Sequence, residues 1–265
     1  MGSTYFRRLI QPCVLAFLFL TRIPMPSPAN AEYTDETYSR STICYPFIGL
    51  LVVVIALYTP MVLPHTVSAA IVLIAWTAVT GALHLDGLLD TADGLLSHRS
   101  RERKLEIMKD SHVGAMGVIV CVCYLLLKFT LILSFVEGTG ASLQLLMLIP
   151  IWSRFFLPAA IAWWPYARKN SGGMGAQFAN VRNRHVWLAG AIASVSSAIG
   201  YVLLHSLLRL HGVASVSLAE FAVILVATFI VTMVCGLALA AAIARQLGGQ
   251  TGDTYGAINE MLEII

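Results

Sequence analysis

Charged residues are scarce in this chain of 265 residues, where they make up 12% of the sequence against 58% for hydrophobic residues. The mean hydropathy is +0.78. A soluble globule of this size needs far more polar surface, so the composition excludes that class and predicts a membrane protein. Basic loop residues near anionic lipid explain the net charge of +3, and nothing indicates nucleic acid as a partner.

Cysteine is also scarce, and its spacing excludes a metal site of the paired-cysteine type. The five cysteines lie in or beside apolar segments, so we interpret them as small core residues and expect no disulfide. The sequence contains no low-complexity tract and no convincing internal repeat. We therefore expect one integral membrane domain over residues 1–265.

Long apolar runs are abundant, and they predict an all-α membrane bundle of about six transmembrane helices. Lipid offers no other partner to backbone groups, and the runs do not alternate as barrel strands do. A shorter apolar stretch at about 9–20 imitates a signal peptide, but Gln11 and Pro12 interrupt it. It predicts a short N-terminal interfacial or re-entrant helix. The six predicted spans are 47–63, 67–83, 113–136, 143–163, 186–208 and 218–244.

Basic residues are confined to alternate connecting segments. Fourteen of the seventeen Lys and Arg residues lie in segments 1–46, 84–112, 166–185 and 245–265, whereas the other side holds only Arg209. Because cytoplasmic loops carry the excess of Lys and Arg, these four segments are predicted to be cytoplasmic. We expect a multi-pass protein of a bacterial-type inner membrane, with its active site facing the cytoplasm.

Acidic residues number only fourteen, and five of them lie in two short blocks at 84–94 and 106–110. At about 100° per helical residue, three carboxylates of the first block share one helix face, and the two of the second block share another. Such crowding suits Mg²⁺, although solvated helix ends and a surface salt bridge at Glu106 are the alternatives. The candidate metal ligands are Asp86, Asp90, Asp93, Glu106 and Asp110.

Two cations interrupt the predicted spans, namely Lys128 and Arg154. A buried cation is costly unless it is paired or hydrated, so we expect both to face a polar cavity that opens toward the cytoplasm and suits phosphate. The glycine-rich segment 248–254 either cradles phosphate or simply ends a helix. His84 lies nearly opposite the aspartate face, and we interpret it as a packing or orienting residue.

Together these motifs resemble the cobalamin synthase family, the adenosylcobinamide-GDP ribazoletransferases. The His-Leu-Asp-Gly block at 84–87 and the Gly-Gly-Gln-Thr-Gly-Asp-Thr block at 248–254 are specific to that family. One departure is His112, which stands where family members commonly carry arginine. The other matching stretches are 19–26, 45–50, 105–111, 153–154 with Pro158, and 166–168.

The resemblance implies a Mg²⁺-dependent phosphotransfer. A hydroxyl of α-ribazole, or of its 5′-phosphate, attacks the phosphate that links cobinamide to GMP in adenosylcobinamide-GDP, and GMP leaves. It implies Asp86, Asp90, Asp93 and Asp110 as catalytic Mg²⁺ ligands, one of which could also serve as the base. The lipid bilayer surrounds the enzyme, and a homo-oligomer or other corrinoid-pathway enzymes are the protein partners left open. The implied substrate-binding residues are Lys128, Arg154, Arg168, Gly248, Gly249, Gln250, Thr251 and Asp253.

Other classes fit parts of the pattern. An intramembrane prenyltransferase also uses aspartate-rich helix ends, but it needs a lipid-sized groove and no glycine-rich turn at 248–254. A CDP-alcohol phosphotransferase expects Ala-Arg where Leu89 and Asp90 stand. A transporter would place acidic residues near the midplane, and the predicted spans contain none there.

Overall fold

The computed structural model describes residues 10–26, 33–57, 63–138, 140–168 and 174–265. Within these ranges the protein is helical, apart from one isolated β-bridge between Tyr166 and Gln250. The predicted all-α fold is confirmed. The helices are α1 (Gln11–Leu20), α2 (Asp35–Ser41), α3 (Tyr45–Leu57), α4 (His65–Thr80), α5 (Leu83–Leu96), α6 (Arg101–Ile107), α7 (Ala115–Glu137), α8 (Gly140–Trp163), α9 (Asn183–Leu210), α10 (Leu218–Leu247) and α11 (Gly252–Leu262), with 3₁₀ turns at Thr42–Cys44 and Met174–Phe178.

Four helices, α7 to α10, are long and apolar enough to cross a membrane. The count rises to five if α4 and α5 are taken as one broken span, although they meet at an angle of 87°. This is the pattern of a multi-pass membrane protein, but the predicted total of about six spans is not confirmed in the described residues. The predicted span 47–63 corresponds to α3, which ends at Leu57, and 58–62 lie outside the described residues.

Helix α8 forms the centre of the bundle. Its most apolar window is 78% buried, whereas the corresponding windows of α7, α9 and α10 are 11% to 33% buried. Leu148, Ile151 and Phe156 of α8 are fully enclosed. The outer helices instead expose large apolar side chains such as Leu126 and Val223, which would be costly in water and are suited to lipid.

A sharp corner separates α4 from α5. Gly81 and Ala82 both adopt the left-handed conformation, with φ of 59° and 56°, which ends α4 and redirects the chain. The backbone N–H of Arg22 donates to the Val79 carbonyl at 2.7 Å, so the segment after α1 crosses this corner. The predicted N-terminal helix at 9–20 is confirmed as α1, whose Ala16 and Leu20 are buried.

Three of the four basic segments meet at one end of the bundle. Arg101 donates to the Leu247 carbonyl at 2.6 Å, and Arg168 donates to the Met108 carbonyl at 3.3 Å. The Ala167 N–H also donates to the Gln250 carbonyl at 2.7 Å. Segments 84–112, 166–185 and 245–265 therefore lie on the same side.

Helix α11 turns back from this end into the bundle and packs mainly against α5, α8 and α10. Its residues from Gly256 to Glu260 are buried. The polar side chains of α11 find buried partners on the long helices, and the prediction that 245–265 is a cytoplasmic segment stays a prediction.

Candidate active site

Helices α5 and α11 cross at close range. Helix α5 carries the block at 84–87 that resembles the cobalamin synthase family, and α11 begins within the second such block at 248–254. A Cβ atom added to Gly87 would lie 2.5 Å from the Asp253 carbonyl oxygen, and one added to Gly256 would lie 3.0 Å from the His84 Cα. Only glycine permits such an approach. The crossing brings Asp86 of α5 beside Asp253 of α11.

A cavity of about 140 Å³ lies at this crossing. One part of its wall is polar and includes His84, Asp86 and Asp253, together with Gly252, which starts α11. Much of the remaining lining is aromatic or aliphatic, and it comes largely from the N-terminal helices, α8 and the turn before α9. Its members include Phe19, Tyr45, Leu157, Ile161 and Phe178. The cavity can therefore accept a ligand that has both polar and apolar parts.

Asp253 is held by a cation at the cavity edge. The Arg168 guanidinium donates to Asp253 Oδ2 at 2.8 Å, and the Thr251 hydroxyl donates to the same oxygen at 3.3 Å. Burial raises the pKa of the Asp253 carboxyl above its ordinary value, and the Arg168 guanidinium offsets part of that rise. Two of the predicted substrate-binding residues are thus brought together as an ion pair.

The glycine-rich turn is largely a scaffold for α11. Gly248 ends α10 with φ of 72°, and a Cβ on Gly249 would lie 2.2 Å from the Pro165 carbonyl oxygen. The Gln250 amide donates to the Ala240 carbonyl at 2.7 Å, and the Thr251 hydroxyl accepts from the Thr254 N–H at 3.2 Å. Gln250 and Thr251 are fully buried. The predicted roles of Gly248, Gly249, Gln250 and Thr251 in substrate binding stay predictions, and their contacts in the structure shape the turn.

The structure places the predicted metal ligands of the first block in different surroundings. Asp86 is exposed at the cavity and Asp90 is half-buried, and neither carboxylate accepts a hydrogen bond from a described residue. Asp93 lies on the same helix, but its two oxygens accept the N–H groups of Gly114 and Gly117 at 2.7 Å each. Asp93 therefore caps the start of α7.

The second acidic block lies on exposed structure. Glu106 accepts from Arg103 at 2.8 Å, which matches the salt-bridge alternative. The His112 backbone and ring both contact Asp110 and hold the pKa of that carboxyl below its ordinary value. Neither residue is joined to the first block by a described hydrogen bond or ion pair.

In the described parts of the chain, no three His, Cys, Asp or Glu side chains are close enough together to hold a metal ion. Mg²⁺ commonly binds through one or two carboxylates and completes its coordination with water and substrate phosphates. Asp86 and Asp90 offer free carboxylate oxygens of this kind. Their chemistry fits the predicted ion, and its presence stays a prediction.

The family model described as CobS, cobalamin-5-phosphate synthase, matches residues 12–265. The protein belongs to this family. A relative from Desulfitobacterium hafniense strain Y51, named adenosylcobinamide-GDP ribazoletransferase, is 36% identical over 95% of this chain and 92% of its own. Relatives of the same name from Desulforamulus reducens strain MI-1 and Pseudomonas aeruginosa strain PAO1 are 36% and 35% identical, over 94% and 97% of this chain and 91% and 96% of theirs. No solved structure matches the chain.

Membership of the cobalamin synthase family makes this protein an enzyme of cobalamin synthesis. The two sequence blocks specific to this family, 84–87 and 248–254, contribute the polar residues of the cavity lining, which are His84, Asp86 and Asp253. The resemblance identified from the motifs is confirmed.

Within this family member, Lys128 and Arg154 have carboxylate partners that the sequence did not suggest. Lys128 is paired with Glu260 at 3.1 Å and also with Glu263, while Arg154 contacts Glu263 at 2.7 Å. Lys128 is 4% exposed and Arg154 is fully buried. The expectation that both cations face a polar cavity open to the cytoplasm is therefore wrong, because α11 inserts two acids beside them.

Three buried residues of this network were not identified from the sequence. They are Tyr124, Glu260 and Glu263, with Tyr124 donating to Glu260. One signal could have revealed the acids. Glu260 and Glu263 are three residues apart and share a helix face, and two unpaired cations elsewhere in the spans required partners of opposite charge.

Proposed function

We propose that this enzyme joins adenosylcobinamide-GDP to α-ribazole, or to α-ribazole 5′-phosphate, and releases GMP in a Mg²⁺-dependent reaction. The ribazole hydroxyl oxygen forms a bond to the phosphorus that links cobinamide to GMP. The bond between that phosphorus and the GMP oxygen breaks, and the hydroxyl proton passes to a base. The relatives named adenosylcobinamide-GDP ribazoletransferase support this assignment.

The observation that carries the proposal is the meeting of Asp86 and Asp253 at one cavity. Phosphoryl transfer depends mainly on positioning and on charge stabilisation, so an enzyme needs few covalent steps of its own. Acidic groups, an arginine and a helix N-terminus at the edge of an enclosed space provide those elements. The aromatic wall gives a planar base of the substrate an apolar contact surface.

Each residue can be given a role in this scheme. Asp86, exposed and without a protein partner, is placed to accept the hydroxyl proton, and the free N–H groups at the start of α11 suit a phosphate oxygen. Arg168 holds Asp253, a residue of the cavity lining, and its positive charge favours the diphosphate. Asp86 and Asp90 would hold Mg²⁺, which supplies neutralisation of phosphate charge when it is bound.

The orientation in the membrane belongs to the same proposal. The basic segments gathered around Arg101, Arg168 and the start of α11 face the cytoplasm under the positive-inside rule. Both nucleotide substrates would then enter from the cytoplasm, at the inner membrane of a bacterial-type cell.

The direct test is an assay with purified protein in detergent or lipid nanodiscs. We expect GMP to form from adenosylcobinamide-GDP and α-ribazole or its 5′-phosphate only when Mg²⁺ is present. Comparison of the two acceptors identifies which one the enzyme uses. Failure to form GMP with either acceptor at any Mg²⁺ concentration would refute the proposed function.

Replacement of the free carboxylate at the cavity gives the first mutational prediction. Asp86→Asn preserves shape but removes charge and basicity, so we expect turnover to fall by roughly a hundredfold or more while the protein remains folded. Asp35→Asn, on the exposed surface of α2, is the matched control and should retain normal turnover. Normal Mg²⁺-dependent turnover by Asp86→Asn would contradict the role given to this residue.

A further inference from the structure

His84 is a polar group of the cavity wall to which the proposed chemistry gives no task. It is 4% exposed, and its Nδ1 lies 3.2 Å from the side-chain nitrogen of Asn259. No described residue forms a hydrogen bond with its Nε2. Because Nε2 is on the other edge of the ring from Nδ1, the cavity lined by His84 is the space available to it.

The orientation of the Asn259 amide is set by Glu263. The Asn259 side-chain nitrogen lies 3.1 Å from Glu263 Oε1, an oxygen that also accepts from Arg154 at 2.7 Å. Lys128 contacts the other oxygen of the same carboxylate. Rotating the amide would place its oxygen against the Glu263 carboxylate, acceptor against acceptor. The two cations therefore favour an ionised Glu263, and ionised Glu263 requires the NH₂ group of Asn259.

The same NH₂ group then determines the tautomer of His84. A hydrogen on Nδ1 would point at the Asn259 donor, so Nδ1 must be the acceptor. A neutral imidazole carries one N–H, and here that hydrogen must be on Nε2. The buried ion pairs therefore determine the tautomer of a cavity residue through two hydrogen bonds, one from Asn259 to Glu263 and one from Asn259 to His84.

We propose that Glu263 and Asn259 are positioning residues that hold His84 as an Nε2–H donor in the cavity, where it binds an oxygen of the substrate. The oxygen is that of a phosphoryl or hydroxyl group, because the neighbouring polar wall contains Asp86 and the start of α11. The identity of this ligand rests on the proposed function. The tautomer of His84 does not, since it follows from protein contacts alone.

The tautomer can be measured without substrate. We expect the ¹⁵N NMR spectrum of histidine-labelled protein in nanodiscs to show His84 with its hydrogen on Nε2, the signal being assigned by its loss in His84→Gln. Asn259→Leu removes the donor at similar volume, and we expect a mixture of the two tautomers. A hydrogen on Nδ1 in the unaltered protein, or an unchanged tautomer in folded Asn259→Leu, would overturn the proposal.

Kinetics with two matched variants test the contact with substrate. The side-chain nitrogen of glutamine can occupy the position of His84 Nε2, whereas that of asparagine reaches only the position of Nδ1. We expect His84→Asn to lower kcat/KM by about tenfold or more, as for one lost hydrogen bond, and His84→Gln to recover most of that loss.

The two variants share any general effect of removing the imidazole, so their difference isolates the donor at Nε2. Equal activity of the two folded variants would refute the substrate contact. If the unaltered protein forms no GMP, the proposed function fails, and the NMR result still decides the tautomer.

Discussion

At the scale of single residues, the buried charges of the bundle determine most of what the sequence left open. Lys128 and Arg154 carry two positive charges, and Glu260 and Glu263 carry two negative charges. All four are at most 5% exposed. A buried ion pair is not by itself strongly stabilising, but the loss of one partner leaves an uncompensated charge.

This balance leads to a prediction for Lys128. Lys128→Met nearly preserves the side-chain volume but leaves Glu260 and Glu263 with only one cation between them. We expect the free energy of unfolding to fall by about 3 kcal/mol or more, which thermal unfolding in nanodiscs would detect as a lower Tm.

A double variant provides the matched control. Lys128→Met with Glu260→Gln removes one charge of each sign, so most of the lost stability should return. An unchanged Tm for folded Lys128→Met alone would show that the ion pair is not needed, and would favour the earlier expectation that this lysine faces substrate.

The sequence predicted that the two cations needed partners, but it could not identify them. Their acids are more than one hundred residues away along the chain, and only the reversal of α11 brings them close. The aspartates show the opposite case. Helical spacing placed Asp86, Asp90 and Asp93 on one helix face, but it could not reveal that Asp93 accepts hydrogen bonds from the N–H groups of Gly114 and Gly117.

At the scale of helices, hydrophobic runs predicted the outer spans well. The expected spans 113–136 and 218–244 correspond to α7, Ala115–Glu137, and α10, Leu218–Leu247. The end of the expected span 67–83 was predicted less well, because the chain turns at Gly81 and Ala82. An average of hydrophobicity cannot predict their left-handed conformation. The burial of α11 was not predicted, because its polar residues are typical of an exposed segment.

The packing of α1 gives a prediction at this scale. Cys13 of α1 and Cys44, which precedes α3, have Sγ atoms 2.7 Å apart, so their thiols are in contact. We expect mild oxidation to join them, because their sulfur atoms are already adjacent. Peptide mass spectrometry would show a linked pair that is lighter by two hydrogen atoms.

Cys121 and Cys123 of α7 are the internal control. Residues two apart on a helix do not face each other, so this pair should remain reduced under the same conditions. Failure of Cys13 and Cys44 to link, or equal linking of both pairs, would argue against the described position of α1.

At the scale of the whole molecule, the two ends of the helix bundle differ in their charge and in their cavities. The end that gathers α5, α6 and the start of α11 holds the cavity and most of the described basic loops, whereas the other end carries the loop between α9 and α10. Charge distribution along the sequence predicted this grouping, and the contacts of Arg101 and Arg168 confirm it. Which end faces the cytoplasm depends on the membrane and stays a prediction.

That prediction can be tested by labelling single cysteines in intact cells, in a background where the five native cysteines are replaced. Glu102→Cys is placed on α6 at the cavity end, and Val213→Cys is placed between α9 and α10 at the other end; both positions are exposed. If the cavity faces the cytoplasm, an impermeant maleimide should label position 213 and not position 102 until the membrane is opened. The reverse pattern would place the cavity outside, where nucleotide substrates made in the cytoplasm could not reach it, and the proposed route to the active site would have to be abandoned.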